Sequence, residues 1–265
     1  MSGHRSLTDE RCRAVAAELR RAERSAEPIR LLTERYAELT WADARTIARA
    51  RDRLRVADGE RLLGYKLGWT SAAMREALGI EQPNWGTLWS SHHATDARID
   101  ETRLIHPKIE PELVFHSSVD LEGAVTVEQV ERSAGLWSLG LEVVDPRFPD
   151  YGFRWLDNTA DNSSAARIVT GQRTHLDAPA AERVDFTDGD EHRSGTGANA
   201  LGDPLAAVAW LVGSLADEGE TLRAGQMVFT GGLTAPFDVV DSRRYELVSE
   251  HLAAVHAAAG SPPDL

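Results

Sequence analysis

Apolar positions recur with a helical period at the start of the chain and with a shorter, strand-like period after it. From Leu7 to about Ala26, Val15, Leu19 and the alanines between them fall at helical spacing, with Thr8 as N-cap and Pro28 as the stop. A second helix is predicted to open at Thr40 and run through Ile47 and Ala50 towards Leu54 or Val56. Both are polar on one face, which suits helices that cover another layer. After Asp58-Gly59 the apolar runs shorten. Leu62 to Trp69 reads as a strand, Thr70-Ser71 as the cap of a short helix ending near Leu78, and Gln82 to Trp89 as a loop punctuated by Gly and Pro. A strand ending in Leu113, Val114 and Phe115 follows, then a helix from Val127 to about Ala134 and a buried strand over Leu139 to Asp145. Thr159 to Ser164 is predicted as a polar turn, Ala166 to Val169 as a strand, and Val184 to Phe186 as the start of a hairpin through Gly189. Asp203-Pro204 suits the start of a helix over Leu205 to Leu215, and Met227 to Thr230 reads as a strand before the Gly231-Gly232 turn. The alanine-rich stretch from Ser249 to Ala259 is predicted as helix. Many strands with few helices among them predict an α+β chain, with a helical cap region over residues 1–58 and a β-rich catalytic domain over residues 59–265.

A formal charge of −13 leaves no basic face for nucleic acid. An anionic small molecule would need a local metal or a cluster of Arg and Lys. The single cysteine, Cys12, excludes an internal disulfide and fits a reducing cytoplasm. No run approaches the eighteen or so apolar residues of a membrane span, and the chain opens on a charged helix instead of an apolar signal core. A cytoplasmic protein is expected.

The candidate chemistry starts at Glu110 and Glu112, which share one face of an extended strand. A lone pair of this spacing is commonly a solvated edge; two convergent carboxylates also suit a hard divalent cation. Glu142 interrupts an otherwise apolar strand, where an unpaired carboxylate is costly. It calls for an Arg or Lys partner, or for a metal shared with the other two. Lys66 lies between Tyr65 and Leu67, either as a snorkelling side chain or as a cation beside such a metal. Ser163 is a turn element or a substrate contact.

In this order, Gly64-Tyr65-Lys66-Leu67-Gly68-Trp69-Thr70-Ser71, Gln82-Pro83-Asn84-Trp85-Gly86 and Pro107-Lys108-Ile109-Glu110-Pro111-Glu112 resemble signatures of the 2-keto-4-pentenoate hydratase and 4-oxalocrotonate decarboxylase family. That family belongs to the fumarylacetoacetate hydrolase superfamily. Leu141 to Arg147, Ala160 to Ser164, Leu201 to Pro204 and Thr230 to Thr234 continue the series, so the resemblance spans about residues 5 to 240. It implies a β-rich fumarylacetoacetate-hydrolase-type fold (a mixed β-roll) with peripheral N-terminal helices, usually assembled as a homo-oligomer. It further implies Mg²⁺ or Mn²⁺ on Glu110, Glu112 and Glu142, chelating the carboxylate and 2-oxo oxygen of a small 2-oxo acid. Lys66 matches the family's active-site lysine and Ser163 its substrate-contacting serine. Asn84 joins them as a candidate catalytic position, and Leu67, Trp85 and Thr234 as candidate substrate contacts.

The branch within the family is read from Asn84. Hydratases of the family usually carry Asp at this position, and an amide cannot take a proton, so decarboxylation through a dienolate is expected ahead of hydration. Asp203 stands where the family commonly has His, Trp69, Trp85 and Trp89 replace other residues around the expected pocket, and the family's closing strand is not recognisable after Val240. A non-catalytic member with a repurposed site is the rival from another class. Hydrolysis of acylpyruvate carbon–carbon bonds would need a His/Glu pair in the N-terminal region, and none is identified.

Overall fold

Thr8 holds its backbone extended while its hydroxyl accepts from the Arg11 amide, so the first helix, α1 (Asp9–Ser25), begins at the next residue. The structure is a computed structural model that describes residues 6–133 and 135–260. A single unanticipated turn, α2 (Leu32–Arg35), precedes α3 (Trp41–Ala57), which opens on a capping box between Thr40 and Asp43. The apolar stripes of α1 and α3, with Val15, Leu19 and Ile47 at their centre, close over Phe148 and Ala160 from much later in the chain. The helices therefore cover the β-rich part, as their polar outer faces imply.

Next come β1 (Leu62–Gly68), α4 (Ala72–Leu78), β2 (Asn84–Trp89), β3 (Arg98–Ile99) and β4 (Lys108–His116). They are followed by α5 (Val127–Arg132), β5 (Leu136–Val144), α6 (Trp155–Ala160), β6 (Ala165–Thr170), β7 (Arg183–Thr187) and β8 (His192–Thr196). The chain ends with α7 (Pro204–Ala216), β9 (Met227–Phe229), β10 (Phe237–Asp238), β11 (Arg244–Ser249) and β12 (Val255–Ala259). Ala134, the expected end of α5, lies outside the described residues. Seven strands form one sheet in the order β2-β1-β9-β4-β5-β6, with β10 added to β4; five form a second, β3-β12-β11-β7-β8. The β1–β9 and β12–β3 pairs are parallel and the others antiparallel, so both sheets are mixed.

Three expectations change. The stretch around Asn84 is no loop: Asn84 to Trp89 is a strand buried at every position and paired to β1, because packing on both of its faces overrides the local Gly and Pro signals. The stretch from Ser249 to Ala259 is no helix. Val255, Ala257 and Ala259 alternate inward along β12, held by pairing to β11 and β3, and this tertiary pairing outweighs alanine's helix propensity. A closing strand therefore exists after Val240. Finally, the polar turn before Ser164 is preceded by α6.

The helices are tied to the sheets by buried charge. Arg51 and Arg55 of α3 both pair with Glu23 of α1, and Arg51 also lies 3.1 Å from Asp161. Arg147 completes the cluster, its Nε donating to Asp161 over 2.8 Å. At this depth each charge depends on its partners, since an orphaned buried ion costs several kcal/mol, about 3–5.

Candidate active site

The register of β4 and β5 sets Glu110 directly opposite Glu142 and Glu112 opposite Gly140. Residues two apart on a strand share a face, and so do directly paired residues, so the three carboxylates converge. One oxygen from each lies within 4.8 Å of the others. The Gly231 amide donates to Glu112 Oε2 at 2.7 Å. Only glycine serves here: φ is +116°, and a Cβ would meet Thr70 Oγ1 at 2.1 Å.

Lys66 is not snorkelling. It is 2% exposed, its Nζ sits 3.1 Å from Glu142 Oε2, and it donates to Ser163 O at 3.1 Å and Ser163 Oγ at 3.3 Å. Glu142 therefore has the lysine partner that one reading called for, and it also lies in the acidic cluster that the other would need. One ammonium cannot neutralise three carboxylates. Burial pushes Glu110 up to about 7 although Lys66 opposes it, and burial with the Glu142 charge lifts Glu112 well above the usual range. Glu142 is raised by burial against the pull of Lys66. Burial drags Lys66 down, but Glu142, Glu110 and Glu112 outweigh it and hold the ammonium above its ordinary value. Glu112 Oε1 and Glu142 Oε1 are buried with no hydrogen-bond partner among the described residues. Convergent hard oxygens, excess negative charge and two orphaned acceptors fit a divalent cation.

Ser163 is delivered by a strained turn. Asn162, Ser163 and Ser164 all have φ between 51° and 60°, a left-handed run that non-glycine residues rarely adopt. Its surroundings over-determine it. Asn162 Oδ1 accepts from the Thr87 amide at 2.7 Å, the Asp145 amide donates to Ser164 O at 2.8 Å, and Asp161 is clamped by Arg147 and Arg51.

From this turn a directed hydrogen-bond chain runs outward. The indole of Trp69 can only donate, and it gives its Nε1 hydrogen to Asn158 Oδ1 at 2.9 Å. That fixes Asn158, whose Oδ1 also accepts from Asn84 Nδ2 at 2.8 Å. Asn84 Oδ1 is thereby turned to accept from Ser163 Oγ at 3.0 Å, leaving a serine lone pair towards Lys66. Gly68 makes room for this contact, since a Cβ there would meet Ser163 Oγ at 2.3 Å and Asn84 Oδ1 at 2.5 Å. Asn158 escaped the sequence reading, as did the part played by Trp69, which carried only the signal of an unusual residue in its motif.

Glu110 lines a cavity of about 750 Å³ whose walls include Leu67 and Thr234. Trp85 is not brought to it. On β2 its side chain alternates to the face opposite Asn84, where Arg45 stacks 3.6 Å from its ring and Tyr65 meets it edge-on. Trp89 shares that far face. Asp203 caps α7 by accepting from the Leu205 amide at 2.8 Å, which explains an acidic residue there.

No protein-family model matches the chain. The 2-keto-4-pentenoate hydratase of Paraburkholderia phymatum is 35% identical over 256 residues, covering 94% of this chain and 98% of that protein. The solved 4-oxalocrotonate decarboxylase of Pseudomonas putida, complexed with magnesium and adipate, is 32% identical with a TM-score of 0.93 and covers 97% and 100% of the two chains. A Yersinia pestis protein assigned to the fumarylacetoacetate hydrolase family shares the fold alone, at 14% identity and a TM-score of 0.58, over 74% of this chain and 91% of that one. This chain thus has the α+β fumarylacetoacetate-hydrolase-type fold, and it belongs to the family of 2-keto-4-pentenoate hydratases and 4-oxalocrotonate decarboxylases.

Proposed function

We propose that the protein is a divalent-metal-dependent lyase that decarboxylates a short 2-oxo-3-enedioate resembling 4-oxalocrotonate. The observation that carries this reading is the meeting of the half-buried Glu110 with the buried Glu112, Glu142 and Lys66. The three carboxylates would hold Mg²⁺ or Mn²⁺, a choice supported by their all-oxygen donor set and by the magnesium in the Pseudomonas putida relative. When bound, the cation would supply the Lewis acidity that makes the 2-oxo group of the substrate an electron sink. Lys66 places its ammonium where negative charge develops as the distal carboxylate leaves and the remaining electrons delocalise into a dienolate. Ser163, aimed by Asn84, orients the substrate against that ammonium.

Asn84 supports decarboxylation over water addition. Its amide oxygen accepts from Ser163 and its amide nitrogen donates to Asn158 and Thr159, so no general base stands at this position. Hydration of a 2-hydroxy-2,4-dienoate remains the second reading, favoured by the name of the 35% identical relative. Homo-oligomerisation and a cytoplasmic setting belong to the same proposal, and native mass spectrometry reads the first.

The deciding experiment is an ultraviolet assay of the Mg²⁺-loaded protein with 2-oxo-3-hexenedioate and with 2-hydroxypenta-2,4-dienoate, products identified by mass. Carbon dioxide loss from the first is the expected result. Water addition to the second alone would replace it with the hydratase reading, and silence on both would overturn the lyase assignment.

A further inference from the structure

A dicarboxylate in this cavity poses a charge problem that the carboxylate cluster cannot solve. A hard divalent cation and Lys66 together offset the three glutamates, leaving nothing for the substrate's second carboxylate. Desolvating that group without a partner is costly. Among the described residues lining the cavity, one side chain is cationic, and it is Arg75.

Arg75 lies on α4, a helix that buries none of its own residues, so packing alone does not hold it. What fixes it is backbone: Nη1 donates to Trp69 O at 2.6 Å and to Thr70 O at 2.9 Å. Those two bonds consume both Nη1 hydrogens. The Nε and Nη2 hydrogens, which make up the fork that matches a carboxylate, have no partner among the described residues. The guanidinium is half-buried on the wall that also carries Glu110, anchored at one end and open at the other. Arginine is suited to this arrangement where lysine is not, because its planar fork is oriented before the ligand arrives.

We infer that Arg75 is the specificity-determining residue of this site, binding the distal carboxylate of a 2-oxo dicarboxylate and selecting it over a 2-oxo monocarboxylate of equal length. The inference rests on the lyase reading above and narrows its substrate class. It carries a kinetic signature. In decarboxylation the distal carboxylate is the group that leaves, and its electrons move towards the 2-oxo end, away from Arg75. The contact therefore stabilises bound substrate more than the transition state, and it acts on KM without raising kcat.

The test uses the Mn²⁺-loaded full chain, with metal content read by electron paramagnetic resonance, and calorimetric titration with 2-oxoadipate and 2-oxohexanoate. The wild type is expected to bind the dicarboxylate about tenfold or more tightly than the monocarboxylate. Arg75→Gln should lose that preference through the dicarboxylate alone, and Arg75→Lys should recover part of it in a salt-sensitive manner. In turnover, Arg75→Gln should raise KM and leave kcat unchanged or higher. Equal weakening of both ligands, or a fall in kcat with KM intact, would mean that Arg75 only braces the Trp69–Thr70 turn and would overturn the inference. A wild type that keeps its manganese yet binds neither ligand would overturn the lyase reading, and this inference with it.

Discussion

Glu110 and Glu142 stand directly opposite each other in the register of β4 and β5, so a half-buried and a fully buried carboxylate share one face with Lys66 to answer them. Glu110→Ala or Glu142→Ala is expected to abolish binding of a divalent cation, measured as metal stoichiometry after dialysis. Full stoichiometry in both variants would remove these residues from the ligand set.

The same burial sets a pH dependence. Glu110 is pushed up to about 7, so near neutrality the metal-free protein is partly protonated there, and an incoming cation must displace that proton. Metal affinity should rise with pH through that region, and calorimetry in buffers of different ionisation enthalpy should record proton release. A flat affinity profile would contradict this.

Asn84→Asp keeps an acceptor for Ser163 while giving the position a group that can carry a proton. The ratio of water addition to decarboxylation should increase about tenfold or more, read by product mass on 2-hydroxypenta-2,4-dienoate and 2-oxo-3-hexenedioate. An unchanged ratio would mean that position 84 does not separate the two reactions.

Trp69→Phe removes the donor-only end of the hydrogen-bond chain and leaves the Asn158 amide, which supports Asn84, oriented by Ser164 alone. A fall in kcat of about tenfold is expected, the equivalent of one hydrogen bond of about 1.4 kcal/mol, with metal affinity unchanged. Unaltered kcat would show that the serine is aimed by the turn alone.

Burial works against the Glu23 carboxylate, yet Arg55, Arg51 and Arg147 outweigh it and hold it well below its ordinary value of 4.5. A depressed carboxylate contributes stability that is complete above the unfolded value and disappears as pH falls through the folded one. Thermal melts from about pH 7 down to about pH 3 should therefore lose midpoint steeply below about 4.5, and Glu23→Gln should be less stable at neutral pH with a shallower acid slope. A variant that melts like the wild type at every pH would exclude this network from the stability balance.

Local spacing made the first half of the site legible. Period two alone puts Glu110 and Glu112 on one face, and an acid in an apolar strand marks Glu142. Their meeting depends on register, a tertiary property, and it was reached through the family's motifs. Asn84 lies in a segment whose local signals read as loop; because that segment is a strand, alternation sends Trp85 to the far face, away from the cavity that Glu110 lines. The charged faces of α1 and α3 hid Arg51 and Arg55, because composition does not distinguish a guanidinium in water from one paired at depth. Ala257 and Ala259 misled for the opposite reason, since small residues that favour helices also fit a strand packed closely on its neighbours.

The two halves of the site stand on different foundations. Glu110, Glu112, Glu142 and Lys66 are woven into one sheet, the glutamates on the paired strands β4 and β5 and the lysine on β1, one strand beyond β9. Ser163 sits on a left-handed turn whose anchor, Asp161, is gripped by Arg51 from an N-terminal helix. Damage to those helices should thus leave a protein that still captures its ion yet no longer aims its serine, so that sequestering a metal and breaking a carbon–carbon bond become separable properties of one chain.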